Sequence, residues 1–150
     1  YVVSFAIVNG NSMLPMLAHN DILAVDRLSV HWRDYRAGDV IVCRYPHRPG
    51  LFIKRIIGVA GDTIEIRNGA VYRNDEKLAE PYLGAHGQVA DMLPLTVGEG
   101  ALFILGDNRD ESLDSRYPEV GTIQKEQVIG RTMAVIWPYA SIRNTKALYA

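Results

Sequence analysis

Three places in the sequence carry residues that could take part in catalysis or support a catalytic site. The first is Ser12, which lies between Gly10 and Pro15 in an otherwise apolar stretch. Gly10 can adopt backbone angles that other residues avoid, and Pro15 keeps Leu14 out of the helical region. We therefore expect Ser12 on a tight corner at the end of a short strand. A serine in this position can act as a nucleophile if a base removes its proton, although serine is also an ordinary turn residue.

The second place is Lys54, in the middle of the apolar run 51–57. Lysine seldom lies inside an apolar strand without a partner. Burial disfavours the ammonium and lowers the pKa, so a buried Lys54 can be a neutral amine that takes a proton from a hydroxyl. The alternative is an exposed strand face with the side chain reaching water. On the pattern alone, the exposed position is favoured.

The third place is the polar segment 106–116, which directly follows an apolar run and is dense in Asp, Asn, Arg and Ser. It is either a solvated loop or a layer of residues that supports a site. As a support it offers Asp114 and Arg116 for an ion pair and Ser112 as a hydroxyl that can orient an amine. A calcium loop is disfavoured, because the spacing lacks the final glutamate of an EF-hand and no flanking helices are evident.

Composition limits the class of protein. The 150 residues are 48% hydrophobic and 22% charged, which is typical of one globular domain with room for a small insertion. Sixteen Lys and Arg against seventeen Asp and Glu offer no general attraction to nucleic acid, so we expect no nucleic-acid partner. Cys43 is alone, and the four histidines are scattered without metal-ligand spacing. We therefore predict neither a metal nor a cofactor.

The chain contains many short β-branched and apolar runs and no convincing amphipathic helix longer than two turns, which predicts a mostly β fold. The clearest local signal is Asn68-Gly69 between alternating apolar residues, which favours a type I′ hairpin. Residues 80–100 are rich in Gly and Pro and are predicted to be a loop. The predicted strands cover residues 1–8, 21–26, 40–45, 51–59, 63–67, 70–73, 101–105 and 131–137.

Taken in order, the three places resemble the sequence boxes of bacterial type I signal peptidases. The resemblance extends over residues 8–138, and its last box is long and specific. The matching residues are Ser12-Met13 with Pro15, the stretch 38–42, Lys54-Arg55 with Gly58 and Gly61-Asp62, and 106–116.

The resemblance implies two antiparallel β-sheets. A catalytic β domain would comprise residues 1–62 and 101–150, and a small β-rich, cap-like insertion would comprise 63–100. It also implies a membrane-associated serine endopeptidase that removes signal peptides from exported preproteins after an Ala-x-Ala site. Its partners would be these signal peptides and the lipid bilayer surface, on the extracytoplasmic side of the plasma membrane. The sequence has no run long enough for a membrane helix, so we expect the anchor to be absent from it.

Carried over by position, the resemblance makes Ser12 the nucleophile and Lys54 the general base. Ser112 would hydrogen-bond to the lysine amine and orient it. Asp114 and Arg116 would form an ion pair, and Asp107 and Arg109 would belong to the same supporting residues.

The resemblance also assigns the oxyanion hole and the substrate contacts. The oxyanion hole would lie at Ser12 and Gly10, where the Ser12 N–H donates and the hydroxyl that some members carry at the second position is missing. The remaining donors would then be backbone or water. The residues predicted to bind substrate are Val8, Gly10, Met13 and Ile53, with Ile7 on the opposite face.

Two questions stay open at this level. The apolar edge formed by Met13, Leu14, Met16 and Leu17 is either core or, as the family implies, partly in contact with lipid. The chain could also be a specialised relative of the same fold, such as a pilus-maturation or organellar peptidase, or a non-enzymatic relative that binds exported peptides. The non-enzymatic alternative predicts a lost Ser12 or Lys54, and both residues are present.

Overall fold

A computed structural model describes residues 2–84, 89–138 and 143–145. Apart from two 3₁₀ turns, Ser29–His31 and Lys125–Gln127, the regular structure of these residues is β, as predicted. No helix in these ranges is long and apolar enough to cross a bilayer. The strands are β1 Val3–Ile7, β2 Ile22–Asp26, β3 Val40–Cys43, β4 Phe52–Val59, β5 Thr63–Arg67, β6 Ala70–Arg73, β7 Glu76–Lys77, β8 Met92–Thr96, β9 Ala101–Leu105, β10 Ile123–Gln124, β11 Val128–Trp137 and β12 Arg143–Asn144.

The strands form two antiparallel sheets, which confirms the predicted fold class. The large sheet has the order β1-β2-β11-β3-β4-β9-β10, and β12 pairs with β11. The small sheet has the order β7-β6-β5-β8 and is built from residues between 63 and 96. The two sheets share one apolar cluster, in which Ile57 and Phe103 of the large sheet meet Ile64 and Ile66 of the small one. The division into two domains remains a prediction.

The hairpin between β5 and β6 has the predicted turn. Asn68 and Gly69 have φ angles of +50° and +76°, and Arg67 lies opposite Ala70. Positive φ at both central positions is the mark of a type I′ turn, whose twist matches that of the flanking strands.

The prediction of a loop over residues 80–100 is wrong in its second half. Strand β8 pairs with β5 in this region. Pro94 concealed the strand, because proline cannot donate to a sheet ladder and usually argues against a strand. β8 is the edge strand of the small sheet, and an edge position tolerates proline because one side of the strand needs no partner.

One rung of the large sheet defines which residues share a face with Lys54. Residues directly opposite each other in paired strands lie on the same face. Lys54 lies opposite Ile41, Ile41 opposite Arg131, Arg131 opposite Asp26, and Asp26 opposite Val3. The face of Lys54 therefore continues across five strands to the outer strand β1.

The apolar edge after Ser12 belongs to the core. Met13, Met16 and Leu17 are 1%, 5% and 0% exposed and pack with β2 and β3, so lipid contact through these three side chains is wrong. A turn directs them inward, since the Leu17 N–H donates to the Met13 carbonyl at 2.9 Å. The exposed apolar side chains of this end of the molecule lie on β1 and β11 instead.

Candidate active site

Ser12 and Lys54 meet although 42 positions separate them in the chain. Lys54 Nζ lies 2.8 Å from Ser12 Oγ and 3.0 Å from the Ile53 carbonyl oxygen. Lys54 is only 2% exposed, which excludes the exposed position that its sequence pattern favoured. At 2.8 Å a protonated lysine donates to the hydroxyl, and a neutral amine can accept the hydroxyl proton.

The surroundings of Lys54 favour its neutral form. Burial lowers the pKa of Lys54 below its ordinary value, and the carboxylates of Asp114 and Asp107 oppose this shift only in part. No carboxylate of the described residues lies within ion-pair distance of Nζ. Desolvation without a counter-charge is the usual way to obtain a basic amine near neutral pH.

Ser12 lies on a corner between β1 and β2, as predicted. Gly10 has φ +98°, and its N–H donates to Nδ1 of His19 at 3.0 Å. The Leu14 N–H donates to the Asn11 carbonyl at 3.1 Å and closes the turn that carries Ser12. Ser12 itself is half-buried, so its hydroxyl can be reached from solvent.

The loop after β9 packs directly on this corner. The backbone N–H of Asn108 donates to the Ser12 carbonyl at 3.0 Å, and its side-chain Nδ2 donates to the Asn11 carbonyl at 3.0 Å. A Cβ added to Gly106 would lie 2.5 Å from the Ser12 carbonyl oxygen. Only glycine therefore allows so close an approach of the two backbones.

Two ion pairs hold the polar segment that follows β9. Arg55 binds Asp107 through Nε at 2.9 Å and Nη2 at 2.7 Å, with both side chains fully buried. Burial raises the pKa of Asp107, and the hydrogen bonds and charge of Arg55 act against that rise. Arg116 binds Asp114 through Nε at 2.8 Å and Nη2 at 3.0 Å, and Asp114 also accepts from the Gly106 N–H.

Two residues that the sequence reasoning missed connect this loop to the segment before β8. Both Nη atoms of Arg109 bind the Glu80 carboxylate, and Arg109 Nε donates to the Gly106 carbonyl at 2.9 Å. The Tyr82 hydroxyl donates to Glu80 at 2.6 Å, and its ring stacks under the Arg55 guanidinium at 4.1 Å. An acid and an aromatic residue flanking a proline carry no local signal for partners almost 30 positions away.

The hydrogen bond predicted between Ser112 and Lys54 is absent. Ser112 Oγ is buried and has no hydrogen-bond partner among the described residues. The side chain packs against the backbone at Gly106, and the Lys54 amine already contacts Ser12 Oγ and the Ile53 carbonyl. Ser112 therefore makes no hydrogen bond to the amine in this geometry, and its role in orienting the amine stays a prediction.

The residues predicted to bind substrate lie around the same corner. Val8 and Met13 are buried in one cluster, Ile53 packs partly buried against it, and Gly10 is exposed. Ile7 is exposed on the opposite face of the strand, as alternation requires. Their contact with substrate stays a prediction.

The described residues contain no group of three or more His, Cys, Asp and Glu side chains that could hold a metal ion. The chemistry on offer is that of a serine hydroxyl beside a buried amine. A hydroxyl activated by an adjacent base can form an acyl intermediate, which is the chemistry of serine peptidases.

Comparison with known proteins gives the same answer. The sequence profile of the family described as "Signal peptidase, peptidase S26" matches residues 1–137. Signal peptidase I of Bacillus licheniformis is 32% identical over 148 residues, and signal peptidase I U of Bacillus subtilis (strain 168) is 34% identical over 149; each match covers 93% of this chain and 79% of the relative. A crystal structure of a signal peptidase I from Enterococcus faecalis V583 is 31% identical, with a TM-score of 0.58 over 66% of this chain and 97% of that chain.

The family match covers most of the chain, and the two Bacillus relatives match it over nearly its full length. Fold, sequence and the serine–lysine contact agree. The chain belongs to the signal peptidase family, peptidase S26, and is a serine endopeptidase.

Proposed function

We propose that this endopeptidase removes signal peptides from exported preproteins with a Ser12–Lys54 dyad. The observation that carries the proposal is the 2.8 Å contact between Ser12 Oγ and the Nζ of a buried lysine without an ion-pair partner among the described residues. The names of the Bacillus and Enterococcus relatives support signal peptides as the substrate class.

The proposed reaction has two halves. The Lys54 amine takes the proton of Ser12 Oγ as the oxygen attacks the scissile carbonyl carbon. The tetrahedral intermediate expels the new amine, which receives the proton from the Lys54 ammonium and leaves an acyl-enzyme. The neutral Lys54 then takes a proton from water, whose oxygen attacks the acyl carbon. Collapse releases the signal peptide's carboxylate and returns the proton to Ser12.

An open backbone edge supports extended binding of the substrate. Residues 52–54 of β4 pair with β3, whereas β9 pairs with β4 only from Arg55 onward. The other edge of 52–54 thus has no strand partner among the described residues. It lies next to the Ser12 corner, so that a peptide added there as a strand would present its carbonyl to the dyad. The small residues of an Ala-x-Ala site would then lie near Val8, Met13 and Ile53, which pack together beside this corner.

We further propose that the exposed apolar face of the large sheet contacts the lipid bilayer. Phe5, Ile7 and Trp137 are 68%, 66% and 57% exposed. Ile22 of β2 lies between Ile7 of β1 and Trp137 of β11, which are its partners in the two neighbouring strands. These residues lie on the sheet face that continues to Lys54. Aromatic and aliphatic side chains exposed together mark a membrane or protein contact. Association on the extracytoplasmic side of the plasma membrane would place the dyad near emerging signal peptides.

Cleavage of an Ala-x-Ala preprotein in detergent tests the dyad across pH 6 to 10. The intact chain is expected to cleave it, whereas Ser12→Ala and Lys54→Ala are expected to be inactive. Ser4→Ala and Lys77→Ala are the matched controls and should retain activity. An active Lys54→Ala with an inactive Ser12→Ala would identify a different base. An inactive intact chain would favour the non-enzymatic, peptide-binding alternative.

Vesicle flotation tests the membrane contact. The double variant Phe5→Ser/Ile7→Ser is expected to bind phospholipid vesicles less than the intact chain does. The control is Leu93→Ser, because Leu93 is even more exposed, at 86%, but lies on the edge of the small sheet. Equal loss in the two variants would assign binding to general hydrophobicity, and not to the exposed apolar face of β1 and β11.

A further inference from the structure

Asn108 holds the backbone on both sides of the Ser12 amide. Its own N–H donates to the Ser12 carbonyl, and its side-chain Nδ2 donates to the Asn11 carbonyl, each at 3.0 Å. The second bond is the informative one, because the Asn11 C=O and the Ser12 N–H belong to the same peptide unit. In a trans peptide these two groups point in opposite directions within one plane. A donor that fixes the carbonyl therefore also fixes the direction of the N–H.

The Ser12 N–H is available for a ligand. Among the described residues it donates to no backbone or side-chain acceptor. The Asn11 carbonyl accepts from two donors, the Leu14 N–H of its own turn at 3.1 Å and Asn108 Nδ2. The turn alone leaves the peptide plane free to rock about the chain axis, and the second donor removes that freedom.

The loop that carries Asn108 is itself anchored. Asp114 accepts from the N–H of Gly106, and Arg109 donates to the Gly106 carbonyl while pairing with Glu80. A hydrogen bond from a side chain on an anchored loop transmits a defined position to its acceptor.

We propose that Asn108 is a positioning residue that aims the Ser12 N–H at the oxyanion of the tetrahedral intermediate. The inference rests on the proposed function. Position 10 is glycine and supplies no hydroxyl donor, so the orientation of the backbone donor at Ser12 matters more in this chain. Asn108 does not touch the substrate and acts through the Asn11–Ser12 peptide.

Kinetics of Asn108→Ala and of the isosteric Asn108→Asp test the proposal on the Ala-x-Ala preprotein. Both variants keep the backbone N–H that binds the Ser12 carbonyl and lose the donor to Asn11. Removal of a whole oxyanion donor lowers kcat by about 100- to 1,000-fold. A donor that is present but no longer held in direction should therefore lower kcat by about 10- to 100-fold. In Asn108→Ala, which adds no charge, KM and the pH at which kcat rises should stay unchanged, because substrate contacts and Lys54 are untouched.

Two inhibitors distinguish a changed direction of the Ser12 N–H from a general loss of binding or folding. A peptide aldehyde ending in Ala-x-Ala forms a tetrahedral adduct with Ser12, whereas the matching peptide alcohol binds without one. The variants should weaken the binding of the aldehyde by about the same factor by which they lower kcat. Their affinity for the alcohol should stay within about twofold of that of the intact chain. Because the aldehyde-to-alcohol ratio is internal to each variant, a fraction of unfolded protein does not alter it.

Glu111→Ala is the matched control, since this exposed side chain lies in the same loop and should leave both inhibitors and kcat unchanged. A kcat within twofold of the intact chain in both Asn108 variants would overturn the proposal, and so would equal weakening of aldehyde and alcohol. A shifted pH profile in the uncharged Asn108→Ala would overturn it too, by assigning the effect to Lys54. An active Ser12→Ala would instead refute the proposed function, whatever Asn108 does.

Discussion

The two faces of β4 differ in whether a buried basic side chain has a charged partner. Lys54 and Arg55 are neighbours in the chain, are both almost completely buried, and point to opposite sides of the sheet. Arg55 has a two-pronged bond to Asp107, whereas the hydrogen bonds of the Lys54 amine within the described residues go only to a hydroxyl and a backbone carbonyl. A buried charge needs a partner to remain a charge. One face therefore keeps its cation and the other favours a neutral amine.

The same contrast extends to the rest of the site. Arg109 pairs with Glu80, Arg116 with Asp114, and Arg131 with Asp39. Each of these arginines thus engages a carboxylate, and none of these carboxylates lies within ion-pair distance of Lys54. The ion pairs therefore do more than fix a loop. They pair acidic groups, among them Asp107 and Asp114, whose charges would otherwise oppose the lowered pKa of Lys54 more strongly.

Lys54→Arg should produce the largest effect, because it puts a cation that cannot lose its proton on the catalytic face. General-base catalysis raises reaction rates by up to about 10⁴-fold. We therefore expect kcat/KM to fall by about that factor at every pH from 6 to 10. The measurement is preprotein cleavage in detergent. Activity that recovers with rising pH in this variant would show that the base is another group.

Asp107→Asn breaks the pair on the other face. An unpaired buried guanidinium is expected to lower the free energy of unfolding by about 3–5 kcal/mol, measured by urea denaturation. The double variant Arg55→Met/Asp107→Leu removes both charges and should regain most of that loss. If the double variant is no more stable than Asp107→Asn, the cost lies in lost packing, and the charge comparison is wrong.

Glu80→Gln tests whether the segment before β8 takes part in the same system of charges. It leaves Arg109 buried beside a neutral amide, and we expect a loss of about 2 kcal/mol in the free energy of unfolding. Tyr82→Phe keeps the ring on Arg55, loses the hydrogen bond to Glu80, and should lower the free energy of unfolding by about 1 kcal/mol. Glu65→Gln is the control from the small sheet, where the pair with Arg67 is partly exposed, and its unfolding midpoint should not move measurably.

The smallest expected effect is the pH dependence of stability caused by Lys54. Burial lowers its pKa in the folded chain, so between that value and the ordinary lysine pKa of about 10.4 the unfolded chain binds a proton that the folded chain lacks. The free energy of unfolding should therefore rise with pH across that interval. Below it Lys54 is protonated in both states, and the cost of the buried charge is fully present. Lys54→Met should remove the rise; an unchanged slope would mean that Lys54 is not the group responsible.

Local signals predicted the local features. The turn at Asn68-Gly69 was predictable because both φ angles are dictated by the two residues that form it. The contact of Ser12 with Lys54 was predictable only through the resemblance, since Lys54 by its own surroundings was expected to be exposed. Strand β8 was missed because Pro94 suppresses the strand signal in any position, and only the sheet order shows that its position is an edge.

The partners of the site could not be read from local pattern at all. Glu80 reaches Arg109 and Asn108 reaches Asn11 across 29 and 97 positions, and the residues next to them in sequence say nothing of these distances. Ser112 shows a different limit, since its loop was chosen for the site but the hydrogen bond predicted for its hydroxyl is absent in this geometry.

The contacts of Glu80 and Tyr82 limit how chimaeras of such peptidases can be built. The small sheet looks like a module that can be exchanged, because it leaves the large sheet after β4 and returns before β9. The segment between its strands β7 and β8, however, supplies the carboxylate that pairs with Arg109 and the aromatic ring that covers Arg55. A module transplanted between the end of β4 and the start of β9 must therefore bring an acid and an aromatic ring to these two arginines.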